Sequence, residues 1–235
     1  MAGEGKRFKD AGYTTPKPLI KVDGQPMVVK ALKSLPKAST NILIVRKDQL
    51  NIVDFKSLLK DYFDNVIIIE IDYLTEGQAS TCLLSEPYVP KNSIINIGAC
   101  DIGLKYNKKK YNKTLEMFDS FIWTYNNNPN VLIHPEMYGW VKTKQNSDEI
   151  EYVSCKKPIS DKLINDHVVS GTFSFKNSNL FFDGIKKMMS DNDRVNGEFY
   201  LDNIFNHLAI KSSVFKVEEY YSWGTPDELK NYLKP

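Results

Sequence analysis

The sequence predicts an α/β fold: one domain on a doubly wound, mixed and mostly parallel sheet, with a β-hairpin inserted late in the chain. Three observations predict it. Apolar runs of strand length alternate with stretches of helical spacing. Residues 65–71, NVIIIEI, are β-branched and nearly continuous, as a strand covered on both faces would be. No Pro-, Gly- or Ser-rich linker divides the 235 residues, which suffice for one sizeable core, so 1–235 reads as a single domain.

The first element is a loop. Residues 1–20 read MAGEGKRFKDAGYTTPKPLI, and Gly3 and Gly5, lacking Cβ, let the backbone turn through positive φ and bring N–H groups close to an anion. Lys6 and Arg7 follow at once. Lys17 stands between Pro16 and Pro18, where the following ring pushes it to extended geometry. Three cations on one glycine loop suit phosphate. A P-loop would need a hydroxyl where Arg7 stands, and the dinucleotide fingerprint would need a glycine where Phe8 stands.

The pattern A-G-x-G-x-R-F with P-K-P-L-I downstream resembles the signature of the sugar-phosphate nucleotidyltransferases, in a form similar to the branch associated with capsule and other surface polysaccharides. The resemblance implies a Rossmann-like nucleotide-diphospho-sugar transferase fold. It also implies that the loop of Ala2, Gly3, Gly5 and Lys6 wraps a triphosphate, that Arg7 holds the outgoing diphosphate, and that Lys17 binds phosphate oxygens. The family places a buried strand ahead of the loop, and the sequence opens at Met1 without it, which reads either as a start assigned late or as a loop held less rigidly than in relatives.

Residues 27–35 have helical spacing and stop at Pro36, 41–45 (NILIV) form a strand, and 48–63 an amphipathic helix. In 74–84 a glycine, Gly77, stands at a strand end just before a helix, the place where open α/β sheets bind ligands. It either approaches a flat ring or merely starts the helix; by resemblance Gly77 and Gln78 contact the nucleobase. Residues 93–103, SIINIGACDIG, run from an apolar strand into Asp101. A carboxylate at the carboxyl edge of a strand is a natural Mg2+ ligand or a turn cap, and the resemblance favours the metal. A glycosyl transferase of similar fold would show D-x-D, and only one acid is present. Nothing in the sequence near Cys100 would lower its pKa, so it reads as a core residue.

Residues 112–127 read as a helix, 130–134 as a strand, and 138–158 as a hairpin with polar NSDE at its tip. The hairpin ends in Cys155-Lys156-Lys157-Pro158, which resembles the family's E-K-P element. Lys157 is the match for the lysine that contacts the acceptor phosphate. Lys156 replaces the glutamate that holds sugar hydroxyls, and a cation cannot accept from hydroxyls, which tilts the reading toward an acceptor with extra negative charge or no sugar ring. Strand 167–176 fits the family's G-x-Y-x-F, with Gly171 beside the acceptor and Phe173 in the Tyr position. A helix at 179–189 packs outside the sheet.

Glu198 and Asp202, four apart in 196–206, read as one helical face that is either an exposed acidic face or, by resemblance, the border of the acceptor pocket. The last strand, 214–220, leads to Gly224-Thr225-Pro226, which matches the family's G-T-P turn. Ser222 stands where the family has a second metal-binding Asp.

The net charge of +2 is too small to argue for nucleic acid, and the lysine run at 105–113 reads as a solvated surface loop. Three cysteines without ligand spacing, no apolar leader and no 18-residue apolar run point to a cytoplasmic protein with no membrane contact. The three histidines, spread singly, read as structural. A homo-oligomer stays open.

The reaction implied by resemblance is attack of an acceptor phosphate on the α-phosphorus of a nucleoside triphosphate, with Mg2+ as cofactor and CTP favoured by analogy. The nucleophile, with a second pKa of about 6, needs no base, so the demand is electrostatic. Arg7, Lys17, Lys157 and Mg2+ on Asp101 would meet it if they gather in one cleft. A nucleotide-binding regulatory homologue of weak activity is the alternative reading.

Overall fold

The computed structural model describes residues 3, 5–50 and 54–234. The strands are β1 (Lys21–Val22), β2 (Gln25–Pro26), β3 (Asn41–Arg46), β4 (Val66–Ile71), β5 (Ile95–Gly98), β6 (Ile102–Lys105), β7 (Ser120–Tyr125), β8 (Gly139–Thr143), β9 (Ile150–Cys155), β10 (His167–Phe175), β11 (Ser212–Lys216) and β12 (Glu219–Ser222). The α-helices are α1 (Lys6–Asp10), α2 (Met27–Lys33), α3 (Lys47–Leu50), α4 (Phe55–Lys60), α5 (Gln78–Leu83), α6 (Lys108–Met117), α7 (Ser178–Ser190) and α8 (Pro226–Leu233). The chain forms two compact units: the first comprises residues 1–75, 98–104 and 220–235, the second 76–97 and 105–219.

In the first unit β3 and β4 pair in parallel, and α2 and α4 cover them with Val28, Val29, Phe55 and Leu59 against Leu43 and Val45. A second cluster ties the start of the unit to its end: Phe8 of α1, Ile20, Val22, Met27, Trp223 and Leu229 pack together. This cluster anchors the glycine loop. Asp101 sits in the turn between β5 and β6, and the Trp223 N–H donates to its carbonyl at 2.8 Å, which pins that turn to the end of β12.

The second unit is built on a mixed sheet in the order β11-β7-β10-β8-β9, with β5 also on β10. β11 and β7 are parallel, while β7–β10, β10–β8 and β8–β9 are antiparallel. Residues β8 and β9 are the expected hairpin. α7 packs on the sheet through Phe181, Phe182, Ile185 and Met188, in one core with Ile122, Phe173, Phe175 and Phe205. The mixed α/β fold read from the sequence is therefore present.

Several elements differ from the sequence reading. The stretch 112–127 is no single helix: α6 ends at Met117 and residues 120–125 are β7, whose six residues are all buried. An unbroken run such as SFIWTY, flanked by a partner strand on each side, satisfies every backbone group in the ladder and hides both faces. The lysine run is mostly helix, because the Asn107 side chain accepts from the Lys110 N–H and caps α6.

Residues 130–134 form no strand. Pro129–Leu132 is a 3-10 helix started by Asn128, which accepts from the Asn130 N–H, and Leu132 and Ile133 are exposed. The helix read at 48–63 is interrupted: Asp54 caps a separate α4 by accepting from the Ser57 N–H. Strand β4 is half-buried at Val66–Ile69 and exposed at Glu70, since it pairs only with β3 among the described residues. The final strand is two, β11 and β12, parted at Val217 and Glu218.

Candidate active site

In the first unit the glycine loop turns through positive φ at Gly5. Gly5 has φ 64°, caps α1, and its carbonyl accepts from the N–H groups of Phe8 and Lys9 at 3.1 and 3.2 Å. Gly3 is exposed, and Ala2 lies outside the described residues. Lys6 and Arg7 are exposed on α1, while the next residue, Phe8, is buried. Lys17 opens a 3-10 helix, Lys17–Leu19, rather than an extended segment: the Leu19 N–H closes a turn on the Pro16 carbonyl at 2.8 Å.

That turn aims the ammonium of Lys17. Its Nζ donates to Asp101 Oδ2 at 2.5 Å and to the Gly224 carbonyl at 3.1 Å, and it lies 5.6 Å from the centre of the Phe8 ring. Both partners of the ion pair are about one-fifth exposed, at 19% and 23%. A Cβ on Gly5 would meet Lys17 Cβ in ordinary van der Waals contact at 3.5 Å, so it is the positive φ and not crowding that calls for glycine there. Two residues 84 apart in sequence, chosen for a cation and a carboxylate, are thus in direct contact.

Around Gly224 the oxygens form a cradle. A Cβ on Gly224 would lie 3.3 Å from Asp101 Oδ2, 3.3 Å from Glu228 Oε2 and 3.6 Å from Ser222 Oγ. These are hard oxygen donors, the kind Mg2+ takes, around a space that a side chain would fill, although no three His, Cys, Asp or Glu side chains gather as a metal-holding group among the described residues. Glu228 escaped the sequence reading because it looks like an ordinary helix start. It is one: Thr225 Oγ1 accepts from the Glu228 N–H and donates to its carboxylate, a reciprocal cap that carries the carboxylate back to Gly224. Cys100, next to Asp101, has its pKa raised by burial and stays a thiol.

The second unit holds the other candidates. Gly77 caps α5 with φ 111°, and a Cβ there would stand 2.7 Å from both N and O of Phe199. The close approach it permits is made by the chain itself: the Phe199 N–H donates to the Glu76 carbonyl at 2.8 Å and the Ala79 N–H to the Phe199 carbonyl at 3.0 Å. Gln78 is exposed at the first position of α5.

Lys156 follows β9 with φ 62°, and its ammonium donates to the Met137 carbonyl at 2.5 Å and lies 5.3 Å from the centre of the Tyr200 ring. Lys157 is exposed, and its carbonyl accepts from Ser154 Oγ at 2.6 Å. Gly171, φ 81°, sits in the irregularity of β10 between Val169 and Thr172.

Glu198 and Asp202 do not share a helical face. Glu198 exchanges backbone hydrogen bonds with Val195 in a turn and is exposed, whereas Asp202 opens a 3-10 helix, Asp202–His207, and is buried. Two left-handed residues, Asn196 and Gly197, make that turn and break any helical register. Burial raises the Asp202 pKa, against a hydrogen bond from Cys155, whose own thiol is raised by burial. Burial, with Glu198 second, pushes the Tyr200 phenol up to about 12. The histidines stand apart: His167 meets Thr124, His207 lies between Asp191 and Asp193, and His134 is exposed beside Glu136.

Comparison with solved structures places the fold. Over 100% of this chain and 98% of the other, it is similar to the nucleoside-diphosphate-sugar pyrophosphorylase from Vibrio cholerae, with a TM-score of 0.82 and 21% identity. It is also similar to the inositol-1-phosphate CTP transferase from T. maritima (TM-score 0.73, 17% identity, 98% and 90% covered). The UDP-glucose pyrophosphorylase from Acinetobacter baumanii is similar too (0.69, 15%, 98% and 89%). No protein-family model and no curated protein matches the chain. At these identities the shared property is the fold. Among the described residues no helix is long and apolar enough to cross a membrane.

Proposed function

We propose that the protein is a nucleotidyltransferase that joins a nucleoside triphosphate to a phosphorylated small-molecule acceptor and releases diphosphate. The observation that carries this reading is the contact between Lys17 and Asp101, which couples the cation of P-K-P to the acid after β5 on the fold these enzymes use. CTP is the proposed nucleotide, Mg2+ the cofactor, and surface polysaccharide assembly the setting; the likeness to an inositol-1-phosphate CTP transferase supports the first.

An oxygen of the acceptor phosphate attacks the α-phosphorus, the bond from that phosphorus to its β-bridging oxygen breaks, and the electron pair leaves with diphosphate. No proton need be removed from a phosphate largely ionised at neutral pH. Lys17 neutralises the triphosphate, Arg7 the departing diphosphate and Lys157 the acceptor phosphate, each holding charge that water would otherwise reorganise around. Asp101, with Glu228 and Ser222 beside it, would hold Mg2+, which supplies further neutralisation of the phosphates.

The test is diphosphate release from each of the four triphosphates with Mg2+ and a panel of sugar and polyol phosphates. Lys17→Ala and Asp101→Ala should each lower turnover by roughly a hundredfold, the worth of one preorganised charge. Turnover within a few fold of the parent for either variant would remove the assignment.

A further inference from the structure

We propose that Lys17 is the resting occupant of the oxygen cradle around Gly224, so that a divalent metal can enter only as a triphosphate draws the ammonium away. The inference rests on the proposed function and adds an order of events to it. The Lys17 ammonium takes up Asp101 Oδ2 at 2.5 Å and the Gly224 carbonyl at 3.1 Å. A metal reaching Asp101 from this side competes with a tethered cation of like sign.

Three features make Lys17 a displaceable occupant and not a fixed strut. Its stem is fixed at the base, in a 3-10 turn between two prolines, while four methylenes leave the head free to swing. The Lys17 side chain is about one-fifth exposed, so the pair is not sealed from solvent or from an incoming anion. Asp101 does not depend on the lysine for its place, because the Trp223 N–H holds its backbone.

Transfer of the ammonium from carboxylate to phosphate would therefore do two things at once. It places a cation on the triphosphate and bares Asp101 for the metal. Premature metal binding, and with it a cradle closed to the lysine, is avoided by a single side chain.

The experiment measures Mn2+ binding by the full chain without nucleotide, from the electron paramagnetic resonance signal of free Mn2+. The parent should bind weakly, Lys17→Met at least tenfold more tightly, and Lys17→Met/Asp101→Asn no better than the parent. Adding Glu228→Gln to Lys17→Met should lose part of the gain while keeping the cap on Thr225. A Lys17→Met variant that binds Mn2+ no more tightly than the parent overturns the proposal.

If that variant fails to fold by circular dichroism, the reciprocal measurement on Asp101→Asn decides. With EDTA present, loss of the carboxylate should free Lys17 and tighten CTP binding at least fivefold; unchanged or weaker binding overturns the proposal. Neither readout uses turnover, so a protein that releases no diphosphate yet shows the Mn2+ gain separates failure of the enzymatic reading from failure of this one.

Discussion

Gly224→Ala tests the cradle most directly. The backbone of Gly224 is not among the left-handed glycines, so alanine is sterically admissible there. Its methyl would stand 3.3 Å from Asp101 Oδ2 and Glu228 Oε2 and 3.6 Å from Ser222 Oγ, all ends of side chains that can retreat by a few tenths of an ångström. The strain should cost under about 1 kcal/mol, partly offset by the stiffer unfolded chain, which contributes roughly 0.4–1 kcal/mol.

Function should suffer more. The methyl takes the space between the oxygens, and a misplacement of even about 1 Å in such a site can cost around a hundredfold. We expect a 10- to 100-fold loss of diphosphate release, or about 1.4–2.7 kcal/mol of barrier. Gly103→Ala is the control of opposite kind. Its Cβ would lie 2.6 Å from Cη2 of Trp223, a ring with no exposure and no room to move, so overpacking of about 1–3 kcal/mol should lower the melting temperature. Turnover and thermal unfolding measured on both variants should separate the two effects. Gly224→Ala with parental turnover, or with a melting point depressed as far as that of Gly103→Ala, would refute the cradle.

Two further predictions concern the second unit. Gly77→Ala combines φ 111° with overlap at 2.7 Å on a hydrogen-bonded backbone, so strain and overpacking together should cost about 3 kcal/mol or more, roughly 6–12 °C in a chain of this size. Gly197→Ala, at φ 83° in open space, should cost about 1 kcal/mol; equal urea midpoints for the two would show that the Phe199 contact is immaterial. Burial raises the Asp202 pKa above its ordinary 3.8, so the folded state binds that proton more tightly, and this contribution to stability, full below 3.8, is lost as pH rises through the folded value. Asp202→Asn should remove the loss, so its urea midpoint relative to the parent should rise from pH 4 to pH 7, and a constant difference would contradict the assignment.

What could be read from the sequence was local in origin. The hairpin at β8 and β9, the strand β10 and the helix α7 each carry their own periodicity, and the glycine loop carries its φ signal at Gly5. Lys17 and Asp101 were chosen separately for charge and position, and their contact follows from the fold. The misread stretches share a cause. In 112–127 the helical pattern continues into SFIWTY, where burial on both faces erases any period. At 130–134 an apolar run of strand length lost to local capping by Asn128 and Pro129. Glu228 was hidden because a reciprocal helix cap and a metal-facing carboxylate look alike until the turn at Gly224 is seen.

The Lys17–Asp101 pair is poorly explained as a stabilising contact. It is partly desolvated, ties a mobile side chain to one geometry, and borders apolar clusters of Phe8, Trp223 and Met27 and of Leu19, Val28 and Phe55. A pair of apolar side chains at such a site would commonly hold the fold as well or better, since desolvation of two charges offsets much of their attraction. The acid's backbone is held by a hydrogen bond from Trp223 and the base's by a proline-bounded turn, so neither backbone depends on the ion pair. Two charges whose backbones are held by separate supports are what an exchange of ligands requires and what a structural ion pair does not.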